Sequence, residues 1–288
     1  MKHRLGKRRS QAQEVWRRLR RNKMALAGMT YICLIIIIAL TANLFVPYEN
    51  IISNNTSERL QPPSGKHWFG TDEFGRDLLG RMIHGARMSL LAGVISTSLS
   101  ILMGGTLGAV AGFYGGRLDN VIMRGLDILY AIPSILLAIA IVTALGTNIV
   151  NLMIAISISA VPGYARTVRA SVMQVKDMEF VEAARAIGAS DLRLIFSHII
   201  PNVLAPVIVR ATLGIASAVI STASLSFLGL GIQPPAPEWG NILSGGREYL
   251  RVAPHIVTIP GLAIVSIVLA FNFFGDGLRD ALDPKLKQ

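Results

Sequence analysis

Five stretches of this chain carry no charged side chain: residues 24–48, 88–116, 128–165, 211–237 and 252–275. All five are mostly apolar. A helix needs ~20 such residues to cross the hydrocarbon of a bilayer, so four of the runs supply one span each. The third run is 38 residues long and holds two spans, with a hairpin at Gly146-Thr147-Asn148, where small and polar residues cluster. In lipid the backbone must satisfy its own hydrogen bonds, which makes these spans helices rather than open strands. The predicted fold is all-α, a polytopic membrane protein with about six transmembrane helices.

The polar stretch 182–201 interrupts this apolar pattern. Phe180, Ala184 and Ile187 recur at i, i+4 and i+7 and predict one face of a short helix. Asp177 is its expected N-cap, and Gly188 is placed to end it in a left-handed turn. Ser190 is the expected cap of a second short helix with Leu192, Ile195, Phe196 and Ile199 on its apolar face. Pro201 marks the start of the next span. Two short helices at an angle, outside the bilayer, are expected. Ala183 and Ala184 beside Glu182 leave a low surface, which suits either an ordinary loop helix or the docking of a partner.

Smaller patterns add detail. Gly104, Gly108, Gly112 and Gly116 recur every four residues, a spacing that lets helix backbones approach another span or subunit closely. Pro133 and Pro162 each remove a helix hydrogen bond, so they either kink spans three and four or sit near helix ends. Val15, Trp16 and Leu19 form an apolar edge among arginines, which fits a short helix on the membrane face or a plain basic flank.

Charge gives the orientation. The chain has 288 residues, 52% hydrophobic and 16% charged, against roughly 25% charged in average soluble domains. Residues 1–23 hold ten Lys and Arg and one acid, whereas residues 49–87 hold five basic and five acidic residues. Basic residues accumulate on the cytoplasmic side. The N-terminus is therefore expected in the cytoplasm and the 49–87 loop outside. Six spans then return the C-terminus and the 166–201 loop to the cytoplasm. The net charge of +11 is accounted for by topology, and nucleic acid is not an expected partner. Residues 1–23 are too charged for a signal peptide, so the first apolar run reads as a retained span.

Several chemistries find no residues to carry them. The uncharged runs lack the ionisable relay of an ion-coupled carrier. No phosphate-binding Gly-x-x-x-x-Gly-Lys-Ser/Thr loop occurs, and Leu243-Ser244-Gly245-Gly246-Arg247, which looks like an ATPase signature peptide, reads as an isolated turn. The five histidines show no metal-ligand spacing, and one cysteine, Cys33, excludes an intrachain disulfide. No catalytic, cofactor-binding or metal-binding residues are predicted.

A resemblance sharpens this reading. Glu182-Ala183-Ala184, then Gly188, then His198-Ile199-Ile200-Pro201-Asn202 is similar to the EAA loop of ABC importer permeases. His198 departs from the general pattern and matches its peptide-importer subgroup. Three further blocks resemble the dipeptide/oligopeptide permeases: Phe69-Gly70-Thr71-Asp72-Glu73-Phe74-Gly75-Arg76-Asp77 with Gly85-Ala86-Arg87-Met88-Ser89-Leu90; Ser226-Phe227-Leu228-Gly229-Leu230-Gly231 with Pro234, Pro235, Pro237, Glu238, Trp239 and Gly240; and the ending from Gly275 to Pro284. The loop and the short N-terminal region resemble the C-type permease subunit of the peptide/nickel/opine family.

The resemblance implies a non-catalytic permease subunit of an ATP-driven importer, forming half of a pathway for di- or oligopeptides. It implies a homologous second permease, two cytoplasmic ABC ATPases and an extracytoplasmic substrate-binding protein as partners, in a bacterial cytoplasmic membrane. Glu182, Ala183, Ala184 and Gly188 become the ATPase-coupling positions. The chain then divides into a basic cytoplasmic segment (1–23), a first transmembrane helix (24–48), an extracytoplasmic loop (49–87), a five-helix importer domain (88–280) with its coupling loop (169–201), and a cytoplasmic tail (281–288). Glutathione, nickel chelates or another small solute are the alternative cargoes. An ion-coupled carrier and a membrane scaffold without transport are the competing classes.

Overall fold

The computed structural model describes residues 11–283. The first ten residues of the basic segment and most of the 281–288 tail, including Lys285 and Lys287, lie outside the described residues. The described chain is helical, and its only strand-like feature is an isolated bridge between Thr71 and Asp77.

The short helix α1 (Gln11–Leu19) precedes α2 (Lys23–Leu40), the first span, which Asn22 caps by accepting from the Ala25 N–H at 3.1 Å. Val15 and Leu19 of α1 pack with Ala281 near the end of the chain, while Trp16 stays exposed. Two short turns, α3 (Ala42–Phe45) and α4 (Tyr48–Ile52), lead into the 49–87 loop.

The next helix, α5 (Leu78–Tyr114), has 37 residues and starts ten residues before the uncharged run. At 1.5 Å per residue it is ~55 Å long and exceeds the ~30 Å hydrocarbon thickness. It starts early because its charged first turns find partners in the loop. Asp77 caps it through the Gly80 N–H, and His84 Nε2 lies 2.8 Å from the Val46 carbonyl oxygen.

Span three is a bent pair, α6 (Gly116–Tyr130) and α7 (Ser134–Leu145), meeting at 87°. Pro133 precedes the first residue of α7, so this proline marks a break. Pro162, by contrast, lies inside α8 (Ile149–Val175). The predicted hairpin falls between Leu145 and Ile149. After α9 (Glu179–Ala186) and α10 (Asp191–Arg193) come α11 (Ile200–Phe227), α12 (Trp239–Gly246) and α13 (His255–Leu282). Among the described residues, five helices are long and apolar enough to cross a membrane, and six if the bent pair is one span.

Glycines set the tightest packing. A Cβ on Gly104 would come within 2.6 Å of the Val161 carbonyl oxygen, and one on Gly108 would overlap the Ala165 carbonyl. Gly112 faces Arg169 and Val172 in the same way, so the stripe seats α5 on α8. Gly116 is not part of it: with Gly115 it makes the turn into α6. A second core joins α2, α5, α11, α12 and α13 through Ile32, Leu90, Val219, Trp239 and Phe271.

The helices run past the uncharged runs and take arginines with them. Arg166 and Arg169 lie in α8 and Arg210 in α11. The absence of charge predicted for the runs therefore does not extend to whole spanning helices.

Candidate coupling site

The stretch after α8 holds the four residues singled out in the sequence. Its first helix, α9, begins after Met178, whose carbonyl accepts from the N–H groups of Val181 at 2.9 Å and Glu182 at 3.1 Å. Asp177, the expected cap, stands one residue too early to serve, and Met178 makes no side-chain cap bond. Glu179 and Glu182 lie in the first turn and Arg185 in the last, the order the helix dipole favours.

Gly188 ends α9 as expected, with φ at +86°. Its N–H donates to the Arg185 carbonyl at 3.0 Å, and the Ala189 N–H donates to Ala184 at 3.1 Å. This double closure satisfies carbonyls that would otherwise be orphaned and needs a left-handed residue at position 188. A Cβ there would meet nothing within 4 Å, so the requirement for glycine is conformational alone.

The buried face of α9 differs from the expected one. Val181 and Ala184 point inward, against Phe113 of α5, Val172 and Val175 of α8, and Leu194 and Ile199 beyond the turn. Phe180 and Ile187 point outward, Ile187 being 88% exposed. The i, i+3 pair is buried because α9 packs mainly on the Leu194–Ile199 turn, where Val181 and the small Ala184 enter the shared cluster. Ala184 therefore anchors the helix rather than lowering its outer surface. Glu182, Ala183 and Gly188 remain outside.

The second short helix does not stand apart. After Ser190, which makes no side-chain cap bond, α10 passes into a π turn (Leu194–Ile199) and then directly into α11. Pro201 has no N–H to donate into this turn, and the Asn202 side-chain amide donates to the His198 carbonyl at 2.7 Å. Leu194, Ile195 and Ile199 are buried, while Leu192 and Phe196 are exposed. Met178, Phe180, Ile187, Leu192 and Phe196 thus leave large apolar side chains uncovered around α9. Contiguous exposed apolar surface of this kind marks an interaction site. Periodicity groups Phe180 and Ile187 with Ala184, and Leu192 and Phe196 with Ile195 and Ile199, whereas the fold buries only Ala184, Ile195 and Ile199 of these. The available signal was their abundance in a stretch too short to bury them all.

At the other end of the bundle the motif blocks meet. Asp72 is buried and its carboxylate accepts from the Phe74 and Arg76 N–H groups, each at 2.9 Å, and from Arg76 Nε at 2.6 Å. Arg81 Nε lies 3.1 Å from the same carboxylate, and Arg81 Nη1 donates to the Ile51 carbonyl at 3.1 Å. Burial and the neighbouring Asp72 push the Glu73 carboxyl above its ordinary range. Glu238 caps α12 through the Asn241 N–H and also accepts from Ser89 at 2.9 Å, while Trp239 Nε1 donates to the Met82 carbonyl at 3.0 Å. A Cβ on Gly85 would come within 2.9 Å of the Trp239 ring. The stretch expected to be an isolated turn, Leu243 to Arg247, instead continues α12 and then a 3-10 turn. Gly245 is there because a Cβ would reach within 2.5 Å of the Glu73 carboxylate.

A family profile described as "Binding-protein-dependent transport system inner membrane component" matches residues 104–288. The chain belongs to this family of membrane components. A second profile, "N-terminal TM domain of oligopeptide transport permease C", matches residues 10–63 of the permease. It is 49% identical over 275 residues to a dipeptide transport system permease protein of Alkalihalophilus pseudofirmus, covering 96% of this chain and 90% of that one. It is 47% identical to a di/tripeptide transport system permease protein of Pseudomonas aeruginosa, covering 96% and 93%. A glutathione transport system permease protein of Pectobacterium atrosepticum is 44% identical, covering 96% and 91%. Among solved structures, the fold matches the inward-facing MetNI methionine ABC transporter with a TM-score of 0.59 at 18% identity, over 72% of this chain and 98% of that one. The permease is a multi-pass protein of the dipeptide/oligopeptide ABC permease group, as the motif blocks implied.

Proposed function

We propose that this permease is one of two homologous membrane subunits of an ATP-driven importer of di- or oligopeptides. Two cytoplasmic ATPases dock on the outer surface formed by Glu182, Ala183 and Gly188, which Ala184 anchors from beneath, and a separate binding protein delivers the solute at the 49–87 face. The single observation that carries the coupling role is the outward placement of α9, which packs through Val181 and Ala184 on the π turn that runs directly into α11. A push on α9 reaches the span through this packed contact, as rigid elements that shift between two packings require. The basic surplus of residues 1–23 supports placing both termini and α9 in the cytoplasm, in a bacterial inner membrane. In this reading the subunit itself is non-catalytic. Peptide cargo rests on the names of its relatives, and glutathione is the second reading because one relative 44% identical is named for it.

The test is Gly188→Val in the complete complex. Uptake of a radiolabelled dipeptide is expected to fall at least about tenfold, since a β-branched residue resists the left-handed turn, while the ATPases still co-purify. Normal uptake with normal association overturns the coupling role. Uptake of glutathione but not of dipeptide by the unmodified complex selects the second reading.

A further inference from the structure

The fold treats three arginines of its spanning helices differently. Arg169 Nη2 donates to Asp119 at 2.6 Å and Arg169 Nε to the same carboxylate at 2.5 Å, and Arg166 donates to Asp127 at 2.6 Å. Both acids come from α6. Arg210 of α11 has no ion pair among the described residues. Its guanidinium lies 5.6 Å from the centre of the Tyr164 ring and over Gly163, where a Cβ would come within 2.7 Å of Nη2. The Tyr164 hydroxyl donates to the Arg210 carbonyl at 3.4 Å, and Gly214 leaves the space this phenol occupies. Arg210 stands ten residues into the 28-residue α11, ~15 Å along it. A lone cation on a spanning helix is costly, and such side chains persist where they face a cavity or a partner group.

Arg210 does face a cavity. A space of about 270 Å³ between α5, α7, α8 and α11 is bounded by Arg210 and Tyr164 and, farther along, by Ser96, Ser100, Ser217 and Ser221. No Asp or Glu lines it. Ser96 is fully buried, and its hydroxyl has no partner among the described residues. The cavity thus holds one uncompensated cation and several hydroxyls inside an apolar bundle. We propose that Arg210, steadied by Tyr164, is a station that holds the anionic group of the solute in transit, and that this group is the terminal carboxylate of a peptide. The planar guanidinium presents paired donors that match a carboxylate, and the accessible hydroxyl oxygens of Ser217 and Ser221 can accept from amide N–H groups behind it. The proposal rests on the reading of the chain as a peptide permease.

The experiment uses the complete complex with its binding protein in proteoliposomes, and the dipeptide Ala-Phe with a free carboxylate as probe. Arg210→Gln is expected to lower uptake at saturating loaded binding protein at least about tenfold, the scale of a lost charged hydrogen-bonding partner. Arg210→Lys is expected to recover most of that loss, and both variants to keep all subunits and the ATPase stimulation by loaded binding protein. Arg210→Gln uptake within about twofold of the unmodified complex overturns the station, on the same scale. Release of the second membrane subunit by Arg210→Gln but not by Arg210→Lys also overturns it, assigning Arg210 to an ion pair across the subunit interface. Absence of dipeptide uptake by the unmodified complex defeats the peptide reading itself, a different outcome from uptake that ignores Arg210.

Discussion

At the end formed by the 49–87 loop, charged groups are sealed inside. At the end formed by α9, apolar groups are left outside. The first end buries Asp72, Arg76, Arg81 and Glu238 and closes over them with Trp239. The second holds α9 on an apolar cluster that includes Phe113 and exposes Ile187, Leu192 and Phe196. Buried charge networks tolerate few geometries, because every misplaced group leaves a neighbour uncompensated. Alkyl contacts tolerate sliding. The contrast fits a molecule anchored at one end and moved at the other.

That comparison can be broken or sharpened by substitution. The largest effect is expected from Asp72→Ala, which strands Arg76 and Arg81 in the interior. Losing one partner of a buried pair costs about 3–5 kcal/mol, read as lower yield and a lower melting temperature of the purified complex. Next is Gly240→Ala, whose Cβ would overlap the Ala223 backbone. Overpacking of this kind costs ~1–3 kcal/mol, and a chemical melt should show it. Gly188→Ala is expected to cost ~1–2 kcal/mol for the left-handed backbone, confined to α9 and visible as faster hydrogen exchange there rather than in global melting.

Glu73→Gln probes the sealed end by pH. The native state holds the Glu73 carboxyl above its ordinary value, so the folded protein prefers it protonated. Its penalty is absent below the unfolded value of ~4.3 and grows as pH rises through the raised native value. The variant lacks this titration, so its stability relative to the unmodified protein should improve with rising pH across that window and then level off. A difference flat in pH would remove Glu73 from the sealed cluster. The smallest effect belongs to Glu182→Gln, within ~0.5 kcal/mol as for exposed sites, despite its place in the coupling surface. A large loss of stability there would erase the contrast between the ends.

The spans were legible because lipid permits few alternatives: the five uncharged runs marked the five long apolar helices, the second half of the bent pair and the hairpin at Gly146-Thr147-Asn148. The run boundaries misled where tertiary partners offset charge, at Arg81 before the second run and at Arg166 and Arg169 after the third. Gly188 was legible because a left-handed helix end leaves a local signature. The face of α9 was not, since the choice of Val181 over Phe180 depends on the cluster around Leu194 and Ile199 that it meets. The meeting of Ser89, Glu238 and Trp239 joins residues some 150 positions apart, which periodicity does not register.

The π turn between α10 and α11 has a geometric consequence. Each residue of an α-helix advances the azimuth by about 100°, and a π turn stores one residue more than its α counterpart. The turn at Leu194–Ile199 therefore fixes the phase between the surface bearing Ile187 and the face bearing Arg210. Were it to tighten to α geometry, the whole of α11 would rotate by roughly a quarter turn relative to α9 without any side chain leaving its rung. The segment is a phase adjuster as well as a link.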